Sequence, residues 1–405
     1  METELLIGEK ANCCGCGACV NACPKGAIRL RPDEGGFLYP EIDPELCVDC
    51  GLCKKACGFQ NIRPETLPLA AYAGAVRERQ RLLRSASGGV AAALSRSVVE
   101  QGGVVFGCAM ESREGSLHPE HIAVEDIKQL PGLQGSKYVQ SYIGDTYRQA
   151  KEALQAGRQV LFTGTPCQIA GLRGYLGQKE YPNLLTVDII CHGVPNNALF
   201  QAYLKQLEHE LRGKITDFTF RDKATGWGHR MGVTYRSQSG KLRYRLIPAK
   251  ASSYFGLFLQ GQIGRDSCYS CPYAQGSRVG DLTLGDYWGI AQAHPEYLQE
   301  QGGALREGDG ISCLLVNTPK GAESIRQIEE TVTLLPSEFE KVRQENDQLQ
   351  HPCPRGADRE KVLELYRQKG YGAVERWYRK RLGIRWYRYA IQMRIPPKLR
   401  AMLKK

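Results

Sequence analysis

The sequence of 405 residues lacks any apolar run long enough to cross a bilayer, so it predicts no transmembrane helix. Its opening residues, METELLIGEK, lack the basic, apolar and small-residue pattern of a secretory signal, and we expect no such leader. Without a sign of export, the 16 cysteines are expected in a reducing, cytoplasmic environment. Cysteines in that setting indicate metal binding more than a disulfide framework.

Acidic residues are missing from one end of the chain. Residues 376–405 contain eleven Lys and Arg residues and no Asp or Glu. Residues 355–405 hold 16 basic and four acidic residues, a net charge of +12, so the total of +11 leaves the rest of the chain near −1. The body therefore has no excess positive charge for a nucleic-acid surface, and we predict no nucleic-acid partner.

Nine of the 16 cysteines lie near the front of the chain. The spacing C-x2-C-x2-C-x3-C occurs twice between residues 13 and 57, which is typical of a ferredoxin module with two [4Fe–4S] clusters. The fourth cysteine of each run ligates the other cluster in such modules. The predicted first cluster site is Cys13, Cys16, Cys19 and Cys57. The predicted second cluster site is Cys47, Cys50, Cys53 and Cys23.

Structural zinc and a disulfide framework are the alternatives for these cysteines. Zinc sites use cysteine pairs separated by a spacer, whereas this segment repeats a run of four. A disulfide framework needs an oxidising compartment, which nothing in the sequence indicates. Both alternatives are therefore disfavoured, and Cys14, which breaks the spacing, is interpreted as a bystander thiol.

Strand and helix patterns alternate after a Pro-containing linker at residues 61–68. Continuous apolar runs at 158–163 and 184–190, separated by a helical segment, predict neighbouring strands of a parallel sheet that is covered on both faces. Cys167 and Cys191 follow these two strands. Because open α/β sheets bind ligands beyond the carboxyl ends of their strands, we expect both thiols at one edge of the sheet.

A C-x2-C pair, Cys268 and Cys271, follows downstream. With the two cysteines at the strand ends it supplies four ligands, enough for a third [4Fe–4S] cluster. Spacing alone leaves open a zinc half-site with two buried structural cysteines.

Ser and Gly residues at 85–89 precede an apolar helical run at 90–99. The free N–H groups and positive dipole end of such a helix suit a phosphate. An ordinary helix cap has the same pattern.

Several motifs between residues 70 and 321 occur together in one order. They are SGG at 87–89, GSKY at 135–138, TGTPCQ at 163–168, CHGVP at 191–195, FRDK at 220–223 with GW at 226–227, the C-x2-C pair at 268–271, and GDLTLGDYW at 280–288. In this order they resemble the family of beta subunits of coenzyme F-420-reducing hydrogenases and dehydrogenases, which includes 7-hydroxymethyl chlorophyll a reductase. With the ferredoxin module, the resemblance covers roughly four fifths of the chain.

The resemblance and the strand-helix pattern together predict an α+β / α/β architecture. A small two-cluster ferredoxin-like domain is followed by an α/β flavin-binding domain with a mostly parallel sheet, and then by a basic helical tail. The expected divisions are 1–63 for the ferredoxin domain, 64–155 for the FAD-binding region, 156–325 for the C-terminal family region with the third cluster site, and 326–405 for the tail.

The resemblance implies that FAD lies beside an iron–sulfur cluster. By similarity, Ser87, Gly88 and Gly89 face the FAD pyrophosphate, Lys137 lies near the flavin ring, Thr165 and Pro166 lie beside that ring, and Arg278 and Asp286 line the same pocket. A basic residue near a flavin stabilises its anionic reduced form.

A cluster carries one electron and a hydride carries two, and a flavin converts between them. The resemblance therefore implies an oxidoreductase that passes electrons between a ferredoxin or other redox protein, the clusters and FAD. Coenzyme F-420 or an analogous small molecule would exchange hydride with the flavin, near the basic residues Arg221, Lys223, His229 and Arg230. The alternative is an electron-relay subunit that serves a separate enzyme, linked to surface-polysaccharide biosynthesis.

Two residues are predicted to take part in catalysis. Lys137 is placed near the flavin by the resemblance. His192 adjoins Cys191, and we interpret it as a hydrogen-bond partner of the cluster site rather than as a proton donor.

The tail mixes aromatic and basic residues. This composition predicts an amphipathic helix that lies peripherally on the anionic inner face of the membrane, ending near Ile395 because of Pro396 and Pro397. A solvated helix on an acidic partner is the alternative. Of the unassigned cysteines, Cys108 and Cys313 are expected to pack in strands, and Cys353, between two prolines, is expected to be exposed.

Overall fold

The computed structural model describes residues 8–64 and 66–394. Its strands are β1 (Ile28–Pro32), β2 (Leu38–Ile42), β3 (Ala70–Val76), β4 (Val104–Arg113), β5 (Ser116–Val124), β6 (Val160–Gly164), β7 (Leu184–Ile189), β8 (Gly213–Thr219), β9 (Arg230–Ser237), β10 (Leu242–Pro248), β11 (Leu282–Asp286), β12 (Ser312–Val316) and β13 (Val332–Ser337). Its α-helices are α1 (Ala18–Ala22), α2 (Leu52–Lys55), α3 (Gly58–Asn61), α4 (Arg79–Arg84), α5 (Val90–Glu100), α6 (Thr146–Gln155), α7 (Pro166–Tyr175), α8 (Asn197–Leu211), α9 (Ser253–Leu259), α10 (Ile290–Ala293), α11 (Pro319–Arg326), α12 (Phe339–Gln344), α13 (Arg359–Lys369), α14 (Tyr371–Leu382) and α15 (Ile384–Arg394).

The front of the chain folds as a small module around the two cysteine runs. Strands β1 and β2 form an antiparallel hairpin, and Phe37, just before β2, and Tyr39, within it, are buried in one core with Cys13. Each cysteine loop turns into a short helix at a glycine with positive φ, Gly17 at 74° and Gly51 at 71°. Glycine adopts this backbone conformation without steric cost, which explains its place in both loops.

An eight-stranded sheet forms the centre of the protein, in the order β13-β3-β12-β11-β7-β6-β4-β5. Its central strands β11, β7, β6 and β4 pair in parallel, and the pairings on both sides of them are antiparallel. Five of the eight strands, β3 and the four central ones, therefore run in one direction. The predicted mostly parallel sheet is confirmed, with antiparallel pairs toward its edges.

Strand β6 shows why the centre of the sheet reads as a continuous apolar run. Val160, Leu161 and Phe162 are each 0% exposed. Val160 and Phe162 belong to the core that contains α7, whereas Leu161 belongs to the core against α5 on the opposite face. Because both faces are covered, the strand needs no polar residue at alternate positions.

A smaller antiparallel sheet, in the order β10-β9-β8, packs with α8, α9 and α14. Its core is aromatic, and Phe200, Phe220, Tyr254 and Phe255 are each 0% exposed. Helix α14 contributes Tyr378, which is also buried and donates to the Lys250 carbonyl. The helix is therefore part of the folded body.

Two of the predicted divisions fall within one sheet. The boundary between 155 and 156 does not separate two units, because β4 and β6 pair side by side in one sheet. The predicted tail from 326 begins inside the same sheet, because β13 pairs with β3. Helix α14 packs against α8 and α9, and α15 follows it, contacting β10 of the small sheet on one face and exposing the other.

Helix α15 closes the described part of the chain. Ile384, Tyr387 and Ile391 are 73%, 65% and 59% exposed. The predicted stop at Pro396 and Pro397 lies outside the described residues. Within the described ranges, none of the helices combines the length and hydrophobicity that a bilayer crossing requires.

Candidate redox centre

The first cluster site is enclosed by the protein. Cys13, Cys16, Cys19 and Cys57 border a cavity of about 30 Å³ inside the module, which Cys53 of the second run also borders. Cys57 belongs by sequence to the second run, yet it lies with three cysteines of the first. The structure therefore brings together the four side chains predicted for this site, including the exchanged fourth ligand.

The second cluster site lies at the surface. Cys50 is exposed, and Cys23, Cys47 and Cys53 are partly buried. Burial, with a contribution from nearby Cys23 and Cys50, raises the pKa of the Cys53 thiol. Three large apolar side chains around this site are exposed, namely Leu46 at 45%, Val48 at 59% and Leu52 at 43%.

The third cluster site gathers cysteines from three parts of the chain. Cys167 lies in the first turn of α7, just past β6, and Cys191 lies just past the neighbouring strand β7. Burial and the neighbouring thiols raise the pKa of Cys268 to about 12 and that of Cys271 to about 11. Cys191 lies near all three other thiols. The predicted convergence at the sheet edge is therefore present.

Among the described residues, no group of three or more His, Cys, Asp or Glu side chains is arranged to hold a single metal ion. This applies to the ferredoxin cysteines as well as to the third cluster site. A [4Fe–4S] cluster spreads its thiolates over four iron corners, so its ligands lie farther apart than those of one ion. Four converging thiols without competing nitrogen or oxygen ligands fit the chemistry of such a cluster.

Helix α7 fixes the module against the central sheet through small residues. A β-carbon at Gly171 would lie 2.8 Å from Cys16 Sγ, and one at Gly174 would lie 2.4 Å from the Ala56 carbonyl oxygen. On the module side, a β-carbon at Gly58 would lie 2.0 Å from the Ala170 carbonyl oxygen. The two surfaces therefore meet backbone to backbone, and Cys167 at the start of α7 is drawn close to the first cluster site.

Cys14 lies at the junction that this packing creates. It is 6% exposed and borders both the cavity of the first cluster site and a larger neighbouring cavity. Its thiol is within hydrogen-bonding reach of Cys16 and of Cys167. One side chain therefore separates a predicted ligand of the first cluster site from a predicted ligand of the third, a position that its spacing did not reveal.

The larger space, here called the central cavity, has a volume of about 320 Å³. That volume lies within the usual range for small-molecule sites. Its walls include Cys14, Ser87, Gly89, Lys137, Thr165, Cys167, Cys191, His192 and Asp286. The structure thus brings most of the predicted flavin residues together with two thiols of the third cluster site.

The loop that carries Ser87 enters α5 beside the central cavity. Gly89 has φ +81° and caps the helix, whose residues Val90 and Ala91 also border the cavity. The first N–H groups of a helix have no intrahelical partner and attract anions. The Ser87 hydroxyl donates to the Ile311 carbonyl at 2.8 Å, so backbone N–H groups are the donors available for a phosphate.

Lys137 reaches the cavity wall with its charge already hydrogen-bonded. Its Nζ donates to the carbonyls of Gly132, Leu133 and Gln134 at 3.1, 3.1 and 2.8 Å. Burial lowers the pKa of Lys137. All three of its donors are occupied, so the side chain supplies a positive field and orders its own loop rather than offering a free proton donor.

Three predicted flavin residues do not border the central cavity, and their placement is corrected. The Arg278 guanidinium is buried in an ion pair with Asp188 at 3.0 Å. Pro166 is buried as the first residue of α7. Gly88 packs so tightly that a β-carbon would lie 2.0 Å from the Gly74 carbonyl oxygen. These three residues therefore pack behind the residues that line the cavity and do not face it.

A buried histidine on the cavity wall was not anticipated. His121 Nε2 lies 3.0 Å from the Thr163 carbonyl, so this nitrogen carries the proton, and Nδ1 accepts from the Ser141 hydroxyl at 3.0 Å. Ser141 in turn accepts from Gln168 Nε2 at 2.9 Å. Burial lowers the pKa of His121 to about 4. A neutral hydrogen-bonded chain therefore holds the loop that carries Thr165 and Cys167.

Asp286 borders the cavity but is not free. Arg221 donates to it at 2.7 Å and Trp227 Nε1 at 3.1 Å, and the rings of Trp227 and Trp288 lie 4.4 Å apart. Lys223 donates to the Ser87 carbonyl at 2.7 Å. Arg221 and Lys223, predicted as anion-binding groups for an acceptor, are buried and engaged with these partners.

His192 has an unexpected neighbour. Its Nε2 lies 3.3 Å from Cys353 Sγ, and Cys353 is only 5% exposed. The prediction that Cys353 is exposed is therefore wrong, because the proline-flanked segment folds back over the cluster region. Cys313 is buried in β12 as expected, whereas Cys108 borders the central cavity.

Two family models match the chain. One describes the C terminus of the beta subunit of coenzyme F420 hydrogenase/dehydrogenase, and it matches residues 157–341. The other describes a 4Fe-4S dicluster domain, and it matches residues 12–61.

Individual proteins are similar to parts of the chain. The F subunit of F(420)H(2) dehydrogenase from Methanosarcina mazei is 23% identical over 191 residues, 44% of this chain and 53% of that protein. The chain thus spans about half the length of that relative. A ferredoxin of Alicyclobacillus acidocaldarius is 41% identical over 63 residues, 16% of this chain and 68% of the ferredoxin.

One solved structure with some likeness is a chain of the F420-reducing [NiFe] hydrogenase complex from Methanosarcina barkeri, studied by xenon derivatization. It is 14% identical, with a TM-score of 0.44, and the alignment covers 74% of this chain and 92% of the other.

Proposed function

Since the chain belongs to the family of coenzyme F420 hydrogenase/dehydrogenase beta subunits and carries a dicluster ferredoxin domain, we propose that it is an iron–sulfur flavoprotein oxidoreductase. In this proposal it exchanges electrons with a ferredoxin-type protein and hydride with coenzyme F420 or an analogous acceptor. FAD in the central cavity would supply the conversion between single electrons and hydride.

The observation that carries this proposal is the sequence of contacts through Cys14. The first cluster site, Cys14 and the third cluster site adjoin one another, and Cys167 and Cys191 border the central cavity. A connected series of redox sites next to a cavity for a small molecule supports electron transfer coupled to chemistry on that molecule. A structural zinc at the third cluster site would not explain why this connected series of thiols borders the central cavity.

Different residues around the cavity would hold different parts of FAD. The N-terminus of α5, with Gly89 at its cap, faces the cavity and suits the pyrophosphate. The Lys137 ammonium favours negative charge on the flavin ring. The chain from His121 to Gln168 holds the loop of Thr165 at the sheet edge.

The surface of the second cluster site is the proposed entry point for electrons. Cys50 is exposed, and Leu46, Val48 and Leu52 form an exposed apolar rim. Small apolar contacts around a cofactor suit the transient complexes of electron-transfer proteins. The proposed partner is therefore a ferredoxin or another small redox protein.

The test uses the full chain, purified without oxygen and supplied with reduced ferredoxin and coenzyme F420. The proposal predicts reduction of F420 by this one protein. Lys137→Met should lower the rate at least tenfold, whereas exposed Lys128→Met should not change it. Flavin reduction by ferredoxin without any F420 turnover would favour the alternative, a relay subunit that serves a separate enzyme linked to surface polysaccharide. Failure to bind flavin would contradict both.

We also propose that α15 docks on the anionic inner face of the cytoplasmic membrane. Its exposed Ile384, Tyr387 and Ile391 lie on one face at helical spacing, and Arg385 and Arg388 are exposed beside them. An apolar stripe flanked by basic residues suits an interfacial helix. The next residues of the chain add only basic charge.

Co-sedimentation with anionic lipid vesicles tests this location. A chain ending at Gly383 keeps the buried Tyr378 and should lose binding, as should the double variant Ile384→Ser and Ile391→Ser. Val48→Ser, on the other exposed face, is the matched control and should bind normally. Equal sedimentation of all these proteins would refute the membrane proposal. If the truncated and double-variant proteins instead lost binding to an acidic protein, the exposed face of α15 would be assigned to a protein partner.

A further inference from the structure

Arg265 is 0% exposed, and it contacts the first cluster site at Cys13. It lies between α9 and Cys268 and reaches across to the ferredoxin module. Its Nε donates to the Cys13 carbonyl at 2.7 Å, and its Nη2 donates to the Leu38 carbonyl at 2.7 Å and lies 3.8 Å from Cys13 Sγ. The guanidinium is therefore held against a predicted cluster ligand.

The partners of the Arg265 charge differ from those of the other buried arginines. Arg221, Arg278 and Arg359 each form an ion pair with an aspartate. Among the described residues, Arg265 forms no ion pair with a carboxylate, and its fourth partner is the amide oxygen of Gln140 at 3.1 Å. An isolated buried charge costs several kcal/mol or more, so it requires an anionic partner.

Aromatic rings supply only part of that compensation. The guanidinium carbon lies 4.2 Å from the centre of the Tyr39 ring. A cation–π contact of this kind compensates only part of the cost of burying the charge. The remaining counter-charge must come from the cavity that Cys13 borders. Four thiolates around a [4Fe–4S] cluster give that cavity a net negative charge.

We propose that Arg265 is the fixed counter-charge of the first cluster and raises its reduction potential above that of the second. This inference rests on the proposed function only in requiring clusters at both sites. Reduction adds one electron, and hence one negative charge, to a site that Arg265 already contacts. The positive charge stabilises the reduced form more than the oxidised form.

None of the buried Arg or Lys residues in the described part of the chain lies at the second cluster site, and its neighbours Lys25, Lys54 and Lys55 are exposed to solvent. Its Cys23 Sγ accepts a hydrogen bond from the Ala27 N–H at 3.3 Å, and Cys50 is exposed to solvent. The potential therefore rises from the surface toward the interior. With clusters bound, the second would lose one electron and the first would gain it, so the favoured direction would be inward toward Cys14.

Three variants of the full-length protein test this role. Arg265→Met removes the charge at similar length, and Arg265→Lys keeps the charge but loses the planar fork. Gln140→Glu keeps Arg265 and places a carboxylate at its Nη1, which neutralises the field without removing the side chain. Each is purified without oxygen, its iron and sulfide are counted, and its clusters are titrated with EPR detection.

We expect Arg265→Met and Gln140→Glu to lower the potential of the first cluster. The reduced-to-oxidised ratio at a fixed applied potential should fall at least tenfold, which is 59 mV for one electron. Arg265→Lys should retain most of the wild-type potential. The second cluster, identified by the signal that Cys50→Ser alters, should not shift and serves as the internal reference.

A first cluster that keeps its potential in Arg265→Met, or that shifts as far in Arg265→Lys, would overturn the proposal and leave a structural role. If Arg265→Met does not retain its iron, the Gln140→Glu titration decides alone by the same criterion. Wild-type protein without iron and sulfide would instead refute the proposed function, so the two failures are distinguishable.

Discussion

The two cysteine runs of the ferredoxin module have the same spacing and opposite surroundings. The first cluster site is closed off by α7, Arg265 and Gln140, whereas the second exposes Cys50 within a rim of apolar side chains. Identical ligand motifs therefore do not imply identical roles. The difference supports the proposal that electrons enter at the second site and pass through the first toward the central cavity.

The largest expected effect comes from breaking the close packing that buries the first site. Gly58→Ala places a methyl group 2.0 Å from the Ala170 carbonyl oxygen, so the module must move away from α7. Overpacking of this kind costs about 3 kcal/mol. Thermal unfolding should show a clear loss of stability, and iron analysis should show depletion. Gly308→Ala, in open space, is the control, and equal stability of the two variants would contradict the docked arrangement.

The next largest effect is expected from replacing the fourth cysteine of each run, which ligates the cluster of the other run. Cys57→Ser should remove or alter the EPR signal of the buried first cluster, and Cys23→Ser should do the same to the exposed second cluster. Cys14→Ser, next to the first site but outside the spacing, should keep both signals. If Cys57→Ser altered only the second cluster, the assignment of ligands in the structure would be wrong.

Acid is expected to lower the stability of the folded protein through the buried side chain of His121. Its pKa is lowered by burial from 6.5 to about 4, so the unfolded chain binds a proton in this window that the folded chain does not. Stability is therefore full above pH 6.5 and is lost as pH falls toward 4, by about 3 kcal/mol at about 1.4 kcal/mol per pKa unit. Unfolding of His121→Gln between pH 6.5 and 5 should show a shallower pH dependence, and an unchanged slope would exclude His121 as the cause.

The smallest effect on stability is expected at the exposed apolar rim of the second cluster site. Val48→Ser and Leu52→Ser should change the free energy of unfolding by less than about 0.5 kcal/mol because both positions are exposed. Each should slow electron uptake from ferredoxin several-fold in stopped-flow measurements if the apolar rim contacts the donor. Ile384→Ser is the control, and a similar slowing in that variant would show that the rim has no special part in donor binding.

Patterns local to one or two elements could be predicted from the sequence. The apolar runs of β6 and β7 predicted parallel neighbours, and their ends placed Cys167 and Cys191 at one edge of the sheet. The predicted division at 155 gave no indication that the regions on either side share one sheet, because periodicity identifies strands but not the sheet to which they belong. The pairing of β3 with β13 joins residues far apart in sequence and leaves no local signal.

The candidate site shows the same limit at the level of side chains. Motifs indicated which residues gather near the central cavity, but not which of them face it. Arg278 lies two residues before the GDLTLGDYW motif and turns inward to Asp188, because that carboxylate is buried beside it. His121, Arg265 and the contact between His192 and Cys353 depend on tertiary packing, and neither spacing nor residue type distinguishes them in the sequence.

The most direct test of the central claim is the cofactor content of the full-length protein, purified in the strict absence of oxygen. The structure and the cysteine set predict about twelve iron atoms, about twelve acid-labile sulfides and about one FAD per chain. A colourless protein that contains zinc at the third cluster site, or that takes up no flavin, would contradict the account.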